Sequence, residues 1–448
     1  ATVGANVATY ADTQVTAGGS YCYRVLAFAD NRRSSTTSQV CVVVPKPSAP
    51  AGQGKEYFVA PSGQDSQAGT SLQTALKTIQ TAVAKLQPGD TLTIAPGEYE
   101  QRFTISQKAT VDKPITIRAA VPGFSVIRAS APTGAFQQVA GKRFVWVTPS
   151  AKTVYRVIEL DTDESYLEAP ALIDMDQFRP SFFYDAQNKK LYVHTSDGRP
   201  PDQHQCVASV LPGPGIKVDG EYIRIEGLVV QGFYTDYLFD YKLGYGIAVA
   251  GRFNEVRQCS FFQNGGGVVV NARNCIVRDS LFAGNYSPNM PQLYITGSSD
   301  TVQVFRNTVM DAPTHGIRAY EVPSNITITN NVVKNAVIGI DYKASEGVRI
   351  ARGNVVTGCT YLNWNSGTNV TGITEDANTF ATPSYWEKVG TFAPGAHTLT
   401  FASGKDDPKF ADPDHLDYRL QADSPSRGSG PGGTDLGAFS YSPDVFFV

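Results

Sequence analysis

Six cysteines, five histidines and three methionines are all that 448 residues contain of these types, and no run of eighteen apolar residues occurs anywhere. So few cysteines exclude a disulfide scaffold. The histidines, at His194, His204, His315, His397 and His415, show no metal-ligand spacing, so neither a zinc site nor any other metal or cofactor is expected from them. Without a long apolar run there is no membrane-spanning helix and no membrane insertion to expect. Charge is sparse too. A net charge of −3 with 18% charged residues marks neither a nucleic-acid partner nor an acidic membrane partner. The opening residues, ATVGANVATYAD, lack a basic start and an apolar core, and are no signal peptide as they stand. No phosphate-binding glycine loop is visible, since Gly265, Gly266 and Gly267 read as a coil corner where tight turns want glycine.

What the chain does have is aromatics, at 11%, with abundant Gly, Asn and Thr. That mixture suits an all-β protein that faces polar, sugar-rich surfaces, and an extracellular or cell-surface location is expected from it. The strongest signal is a repeat over residues 216 to 362. Ile247, Val268, Leu293, Ile317, Ile340 and Leu362 each open an apolar pair after a turn-like break, at steps of 21, 25, 24, 23 and 22 residues. Units of that period cannot bury their own apolar face and must stack on their neighbours. They read as short alternating strands, such as Gly246 to Val249 and Asn325 to Thr329, so each is one coil of a parallel β-helix.

Aligning the coils on their inward residue gives columns, because strand side chains alternate. One outward column reads Lys217, Ala248, Val269, Tyr294, Arg318, Asp341 and Asn363. The other reads Asp219, Ala250, Asn271, Thr296, Tyr320, Lys343 and Asn365. With coils about 4.8 Å apart, Arg318, Tyr320, Asp341 and Lys343 fall into one patch flanked by Tyr294 and His315. The bland reading is a cross-strand ion pair between Arg318 and Asp341 with tyrosines stacked beside it. An inward column of Cys259, Ser280, Asn307, Asn331 and Asn354 reads as structural, with stacked amides bonding to one another. Cys206, Cys259, Cys275 and Cys359 are expected to pack as small apolar groups.

The flanks differ from the repeat. Cys22 and Cys41 sit on two adjacent predicted strands and can bridge, which would place the protein outside the cytoplasm. Residues 1 to 45 resemble the last three strands of a fibronectin type III domain, through Tyr10 to Asp12, Val15 to Gly18, Tyr21 to Phe28 and Ser38 to Val42. A sandwich closes only when both inner faces are covered, so this partial module needs a partner. Residues 46 to 54 form a Pro/Gly/Ser linker. The β-helix is expected over 55 to 441. It begins with an amphipathic helix over Ser71 to Leu86 that caps its open end, carries a small β insertion at about 131 to 205, and loses its rhythm over 371 to 415. Residues 442 to 448 end in Val445, Phe446, Phe447 and Val448, an apolar strand with no core of its own.

Residues 55 to 441 resemble secreted right-handed parallel β-helix proteins, among them polysaccharide lyases. The likeness rests on Tyr57, Ala60, Gly63, Asp65 and Gly69, on Thr78 to Gln80 with Ala82, and on Pro88 to Thr91 with Gly97 and Tyr99. At the far end it rests on Asp417 to Leu420, Ser424 with Pro425, and Asp435 to Phe439. The chain has Ala75-Leu76 where those proteins usually have proline and an aromatic.

Three functional readings follow. The first is an extracellular structural subunit that joins copies of itself head to tail into a filament or surface layer. There the terminal strand Val445, Phe446, Phe447 and Val448 would complete the sandwich at Tyr21, Tyr23, Val25, Val40 and Val42. The second, implied by the resemblance, is a polysaccharide lyase or other carbohydrate-active enzyme on an acidic polysaccharide. Arg318 and Lys343 would act as stabiliser and base and Tyr294 or Tyr320 as proton donor, with Asp341 beside them. Related lyases often hold calcium with several carboxylates, but only Asp341 and Glu321 lie near the patch, short of such a set. An acid pair for glycoside hydrolysis is equally hard to place, Asp219 and Asp240 being isolated. The third reading is a glycan-binding or adhesive module without catalysis.

Overall fold

A computed structural model describes residues 54–162, 164–234, 244–285, 290–297, 299–320, 324–342 and 349–359, with shorter pieces at 20–23, 28–29, 32–33, 40–43, 361–365, 373–376, 379–380, 399–400, 409–412, 417–425, 427–428, 433 and 435. The chain divides into two units, 1–52 and 53–448. In the first, Ser20–Tyr23 pairs antiparallel with Val40–Val43, setting the backbone of Cys22 opposite Cys41, Tyr21 opposite Val42 and Tyr23 opposite Val40. Val25, Val445, Phe446, Phe447 and Val448 lie outside the described residues.

The second unit is a right-handed parallel β-helix built on three sheets. Each coil visits them in turn, as Ile223–Glu226 in sheet I, Val229–Gln231 in sheet II and Tyr245–Val249 in sheet III. Parallel pairing holds the coils in register, so inward residues stack in columns. Sheet I contributes Ile225, Val256, Val277, Val304 and Ile328, and sheet II contributes Val230, Phe261, Phe282, Val309 and Val333. Sheet III contributes Ile216, Ile247, Val268, Leu293, Ile317 and Ile340. These side chains are all buried. Burial of each is worth roughly 1.5–3 kcal/mol, so the columns carry most of the favourable energy. The last step of the repeat differs from the sequence spacing. Ile340 pairs with Asn363 and Asp341 with Trp364, so Leu362 and Asn363 each stand one place away from their expected columns.

The corner between sheets I and II is two residues long in six successive coils. Its first residue, Gly227, Gln258, Asp279, Arg306, Asn330 or Gly353, has positive φ. That conformation turns the chain within one residue, at low cost for Gly, Asn and Asp. The second residue points inward and builds a polar ladder. Asn307 donates its backbone N–H and its amide to Asn331 Oδ1 at 2.9 and 3.0 Å, and Asn331 repeats both bonds to Asn354 at 3.0 and 3.0 Å. Ser280 Oγ accepts from the Cys259 N–H at 3.2 Å, while Asn307 Oδ1 accepts from the Ser280 N–H at 3.1 Å. A second ladder, with no counterpart in the sequence reading, links Asn264, Asn285 and Gln292 at the entry to sheet III. The buried thiols are inert packing groups: burial pushes Cys259 and Cys206 up to about 12 and Cys275 up to about 11.

Gly265, Gly266 and Gly267 have no positive φ, contrary to the turn role expected of them. Close approach is the reason instead. A Cβ on Gly266 would lie 2.2 Å from the Tyr245 ring, and one on Gly267 would lie 2.3 Å from Phe282.

At the N-terminal end the expected helix over Ser71 to Leu86 is cut to Ile79–Val83, preceded by a 3₁₀ turn at Leu72–Thr74. Strand pairing wins between them. Leu76 exchanges backbone bonds with Phe58 and Ala60 at 2.9 and 3.0 Å, and the Asp65 carboxylate accepts the N–H groups of Lys77 and Thr78 at 3.0 and 2.8 Å. Leu76, Ile79, Ala82, Val83 and Leu86, all buried, still seal the open coil. Asp90 fastens the next turn by accepting from the Lys55 and Gln87 N–H groups at 2.7 and 2.8 Å.

The chain leaves the coil after Ser125–Arg128 of sheet II and rejoins it at Ile216–Val218 of sheet III. Between them lie two facing sheets. One holds Ser130–Pro132, Cys206–Ser209, Arg156–Glu159 and Glu164–Ser165; the other holds Gln137–Gln138, Trp146–Pro149, Lys190–His194, Ser181–Asp185 and Leu167–Glu168. Val157, Tyr166, Phe182, Leu191 and Val193 form a core of their own there. Past the expected end of the rhythm at 371, Ile373–Asp376 and Thr379–Phe380 still extend sheets I and II.

Two outcomes test these contacts. Asn331→Ala removes the middle of the ladder and strands buried partners on both sides, so equilibrium denaturation should show a loss of about 1–3 kcal/mol. Gly63→Ala places a Cβ 2.2 Å from the Leu76 carbonyl oxygen, and should lower the melting temperature far more than Ser66→Ala in the same exposed loop.

Candidate active site

Sheet III brings the first outward column together in the expected order. Lys217, Ala248, Val269, Tyr294, Arg318 and Asp341 are successive backbone partners. The sequence places this column in solvent, but the structure covers much of it. Tyr245, Val269, Met290 and Tyr294 pack into a small apolar cluster outside the solenoid, with Ala248 and Tyr320 against it. Tyr245 opens its strand two residues before inward Ile247, and Met290 lies in the connection before Leu293–Ile295; neither belongs to the outward columns, so periodicity gives no sign of them. The rings form a run, with Tyr245 and Tyr294 centroids 6.4 Å apart and Tyr294 and Tyr320 centroids 6.5 Å apart.

Beside this apolar wall lies a polar group. Asp341 is 1% exposed, and its Oδ2 lies 2.7 Å from Arg318 Nε and 3.4 Å from His315 Nε2. Asp341 Oδ1 accepts no hydrogen bond among the described residues. Burying a carboxylate is costly unless a cation or donors stand beside it, and Arg318 is the cation beside Asp341. The guanidinium also lies over the Tyr320 ring, 4.0 Å from its centroid. Arg318 thus lies close to a charge at Nε, where it makes no hydrogen bond among the described residues, and its plane faces an aromatic ring. Its two terminal nitrogens have no partner among the described residues, and the side chain is 21% exposed. Among the sequence candidates, Arg318, Asp341, Tyr320 and Tyr294 stand together with His315, while Lys343 and Glu321 lie outside the described residues. Asp219 is engaged by Lys217 at 2.9 Å, and Asp240 lies outside the described residues.

A second polar group lies in the insertion. His204, isolated in sequence, meets Glu159, Asp161 and Asp197, and the first two with His204 are the described side chains close enough to share a metal ion. Every carboxylate oxygen of Glu159 and Asp161 already accepts a hydrogen bond from a protein donor. The donors fit an internal ion cluster, and none is left over to indicate an ion.

A family model described as "Right handed beta helix region" matches residues 214–380. No curated protein sequence matches the chain. Among solved structures it is similar to one described as a glycoside hydrolase, with 11% identity over 83% of this chain and 100% of that one and a TM-score of 0.54. It is also similar to pectate lyase Pel9A, with 16% identity over 88% and 98% and a TM-score of 0.51. A third is XylC in complex with xylose, with 14% identity over 73% and 68% and a TM-score of 0.51. What the chain has in common with these proteins, at such identities, is the right-handed parallel β-helix itself.

Proposed function

We propose that the protein is a carbohydrate-active enzyme that cleaves a carboxylate-bearing polysaccharide on the face of sheet III. The observation that carries this is Arg318, ion-paired at Nε with buried Asp341 and backed by Tyr320, with its terminal nitrogens unengaged among the described residues. A planar fork held this way suits a carboxylate, which it meets through two parallel hydrogen bonds at little entropic cost. Half-buried Tyr320 beside it combines an apolar ring with a polar tip, the mixture that sugar rings require, while Tyr294 is packed beneath it. The carbohydrate-active neighbours of the fold support the same reading.

In β-elimination a base takes the proton from the carbon beside the substrate carboxylate, and the electron pair passes into an enolate. The glycosidic C–O bond then breaks, the leaving oxygen takes up a proton, and a C=C bond remains. Arg318 would stabilise the enolate charge, which grows as the C–H bond breaks. Lys343 is the base the sequence supplies, and His315 stands beside Asp341 in the same group. The filament reading rests on terminal side chains that the described residues do not include, so it gains no support here.

Incubation with a panel of polyuronates should generate the ultraviolet absorbance of an unsaturated uronate. Arg318→Ala should reduce the rate by roughly a hundredfold or more, and Arg318→Lys should recover little of it, because a single ammonium lacks the fork. New reducing ends without that absorbance would point to hydrolysis, and glycan binding without turnover to an adhesive module. An Arg318→Ala variant as active as the parent would sink the proposal. Asp341→Asn keeps the shape but removes the charge that holds Arg318. It should cost activity and also stability, by about 1–3 kcal/mol on denaturant unfolding.

A further inference from the structure

The insertion carries a polar cluster that the reading above does not use. The His204 side chain is fully covered, and both of its ring nitrogens face carboxylates. Nδ1 lies 2.9 Å from Asp161 Oδ2 and 3.1 Å from Glu159 Oε1, and Nε2 lies 3.2 Å from Asp197 Oδ1. A neutral imidazole has one N–H and one lone pair. Ionised carboxylates only accept, so a neutral ring can satisfy one side and must set its lone pair against an oxygen on the other. Only the imidazolium fits both sides at once.

The three acids come from different parts of the insertion. Glu159 ends a strand of the four-stranded sheet, Asp161 lies in the turn after it, and Asp197 lies in the turn after Lys190–His194 of the five-stranded sheet. His204 itself precedes Cys206–Ser209, back in the four-stranded sheet. The ring therefore ties the two sheets together at one end. Other groups complete the surroundings. Glu159 also accepts from Tyr166, Thr162 and Ser196; Asp197 is held by Arg199; Asp202 stands two residues from His204 in the short 3₁₀ turn; and the Cys206 thiol lies 3.8 Å from the Tyr166 hydroxyl.

We propose that His204 is a pH-dependent latch that clamps the two sheets of the insertion when it is protonated and loosens them when it loses that proton. The latch matters for placement, because the insertion leaves and re-enters the solenoid at the corner that leads into sheet III. Pro212, just past the insertion, bridges Tyr234, and the Arg156 guanidinium lies 4.5 Å from the Tyr234 ring centroid. Tyr234 is the third residue of the connection that leads to Tyr245.

Burial opposes the charge on His204, but the contacts with Asp161, Glu159 and Asp197 outweigh it and hold the pKa above the ordinary histidine value. That contribution to stability is complete below the unfolded-state value and is lost as pH rises through the raised folded value. The acids run the other way. Burial opposes ionisation of Glu159 and Asp161, but hydrogen bonds lower both, while the Arg199 N–H leads in lowering Asp197 to about 2. Their contribution is present above the ordinary carboxylate range and is lost as pH falls through those depressed values. The clamp is therefore tightest between the two limits.

The test uses the full chain. Proton NMR of the histidine rings, assigned by comparison with His204→Gln, should show His204 titrating above the ordinary value. Limited proteolysis between residues 159 and 206 should accelerate severalfold as pH passes that midpoint. Asp197→Asn gives the ring a donor that a neutral nitrogen can accept. It should lower the midpoint by about one pH unit and remove the alkaline acceleration without unfolding the protein. A His204 midpoint at or below the ordinary value would overturn the latch. So would cleavage that ignores the midpoint, or an Asp197→Asn variant that titrates like the parent. None of these readouts depends on enzymatic activity, so the latch and the sheet III assignment fail separately.

Discussion

Backbone pairing from one coil to the next is the constraint on which the rest depends. A parallel ladder fixes the register of each strand, and a slip of one residue would turn every side chain to the opposite face. Here the register is held from both sides of the strand. Outside the ladder, the two-residue corner between sheets I and II sets one residue at positive φ and the next inward. Within it, the amides of Asn307, Asn331 and Asn354 bond to one another and to backbone carbonyls of the preceding coil, Val277, Val304 and Ile328. The amide ladder is specific where the apolar columns are not, because valine and isoleucine tolerate small shifts and a buried amide does not. Arg318 meets Asp341 because this register sets them opposite each other.

The corners also carry a cost that shows how firmly the register is imposed. Tyr222 and Phe253 hold φ of 57 and 61°, a conformation that bulky side chains rarely adopt. Asn274 and Asn325 fill the same corner in later coils, where a short polar side chain tolerates it more readily. The aromatic pair has an offsetting gain, for the two rings stack 4.6 Å apart and nearly parallel. Stacking of like residues in successive coils thus offsets local backbone strain, which is possible only because the coils coincide.

How much of this the sequence reveals follows from which features repeat. The inward columns, the amide ladder and the outward line from Lys217 to Asp341 are periodic, and alternation alone places them. Gly63, Asp65 and Gly69 are legible as a motif, and the structure supplies the reason: two close approaches to Leu76 and one carboxylate that accepts two backbone N–H groups. What escapes the sequence is aperiodic. The helix over Ser71 to Leu86 has the right apolar spacing, yet Leu76 is taken by a strand. The outward face reads as open, because Tyr245 at a strand start and Met290 in a connection of irregular length cover it from outside the aligned columns. His204, Asp161 and Asp197 come from turns of the insertion and Glu159 from a strand end, and no period relates one to another.

The site lies on sheet III for a reason that belongs to the fold. Between sheets I and II the connection is two residues long in coil after coil, and any insertion there would break the positive-φ turn and the amide ladder together. Between sheets II and III the connection runs from residues 263–265 in one coil to 284–292 and 232–244 in others, and once opens into the whole insertion. The second ladder, through Asn264, Asn285 and Gln292, spans this variable corner and holds the entry to sheet III wherever the loop outside it lengthens. The connection between sheets III and I varies as well, from residues 219–222 in one coil to 296–302 in another, so both connections that border sheet III change in length. Met290 from a long connection packs with strand residue Tyr245 over Tyr294 and Val269, while Arg318 stays partly open. A rigid ladder at one corner and variable connections on both edges of sheet III thus set the recessed, charge-bearing surface on that sheet, where the register has placed a cation beside a buried acid.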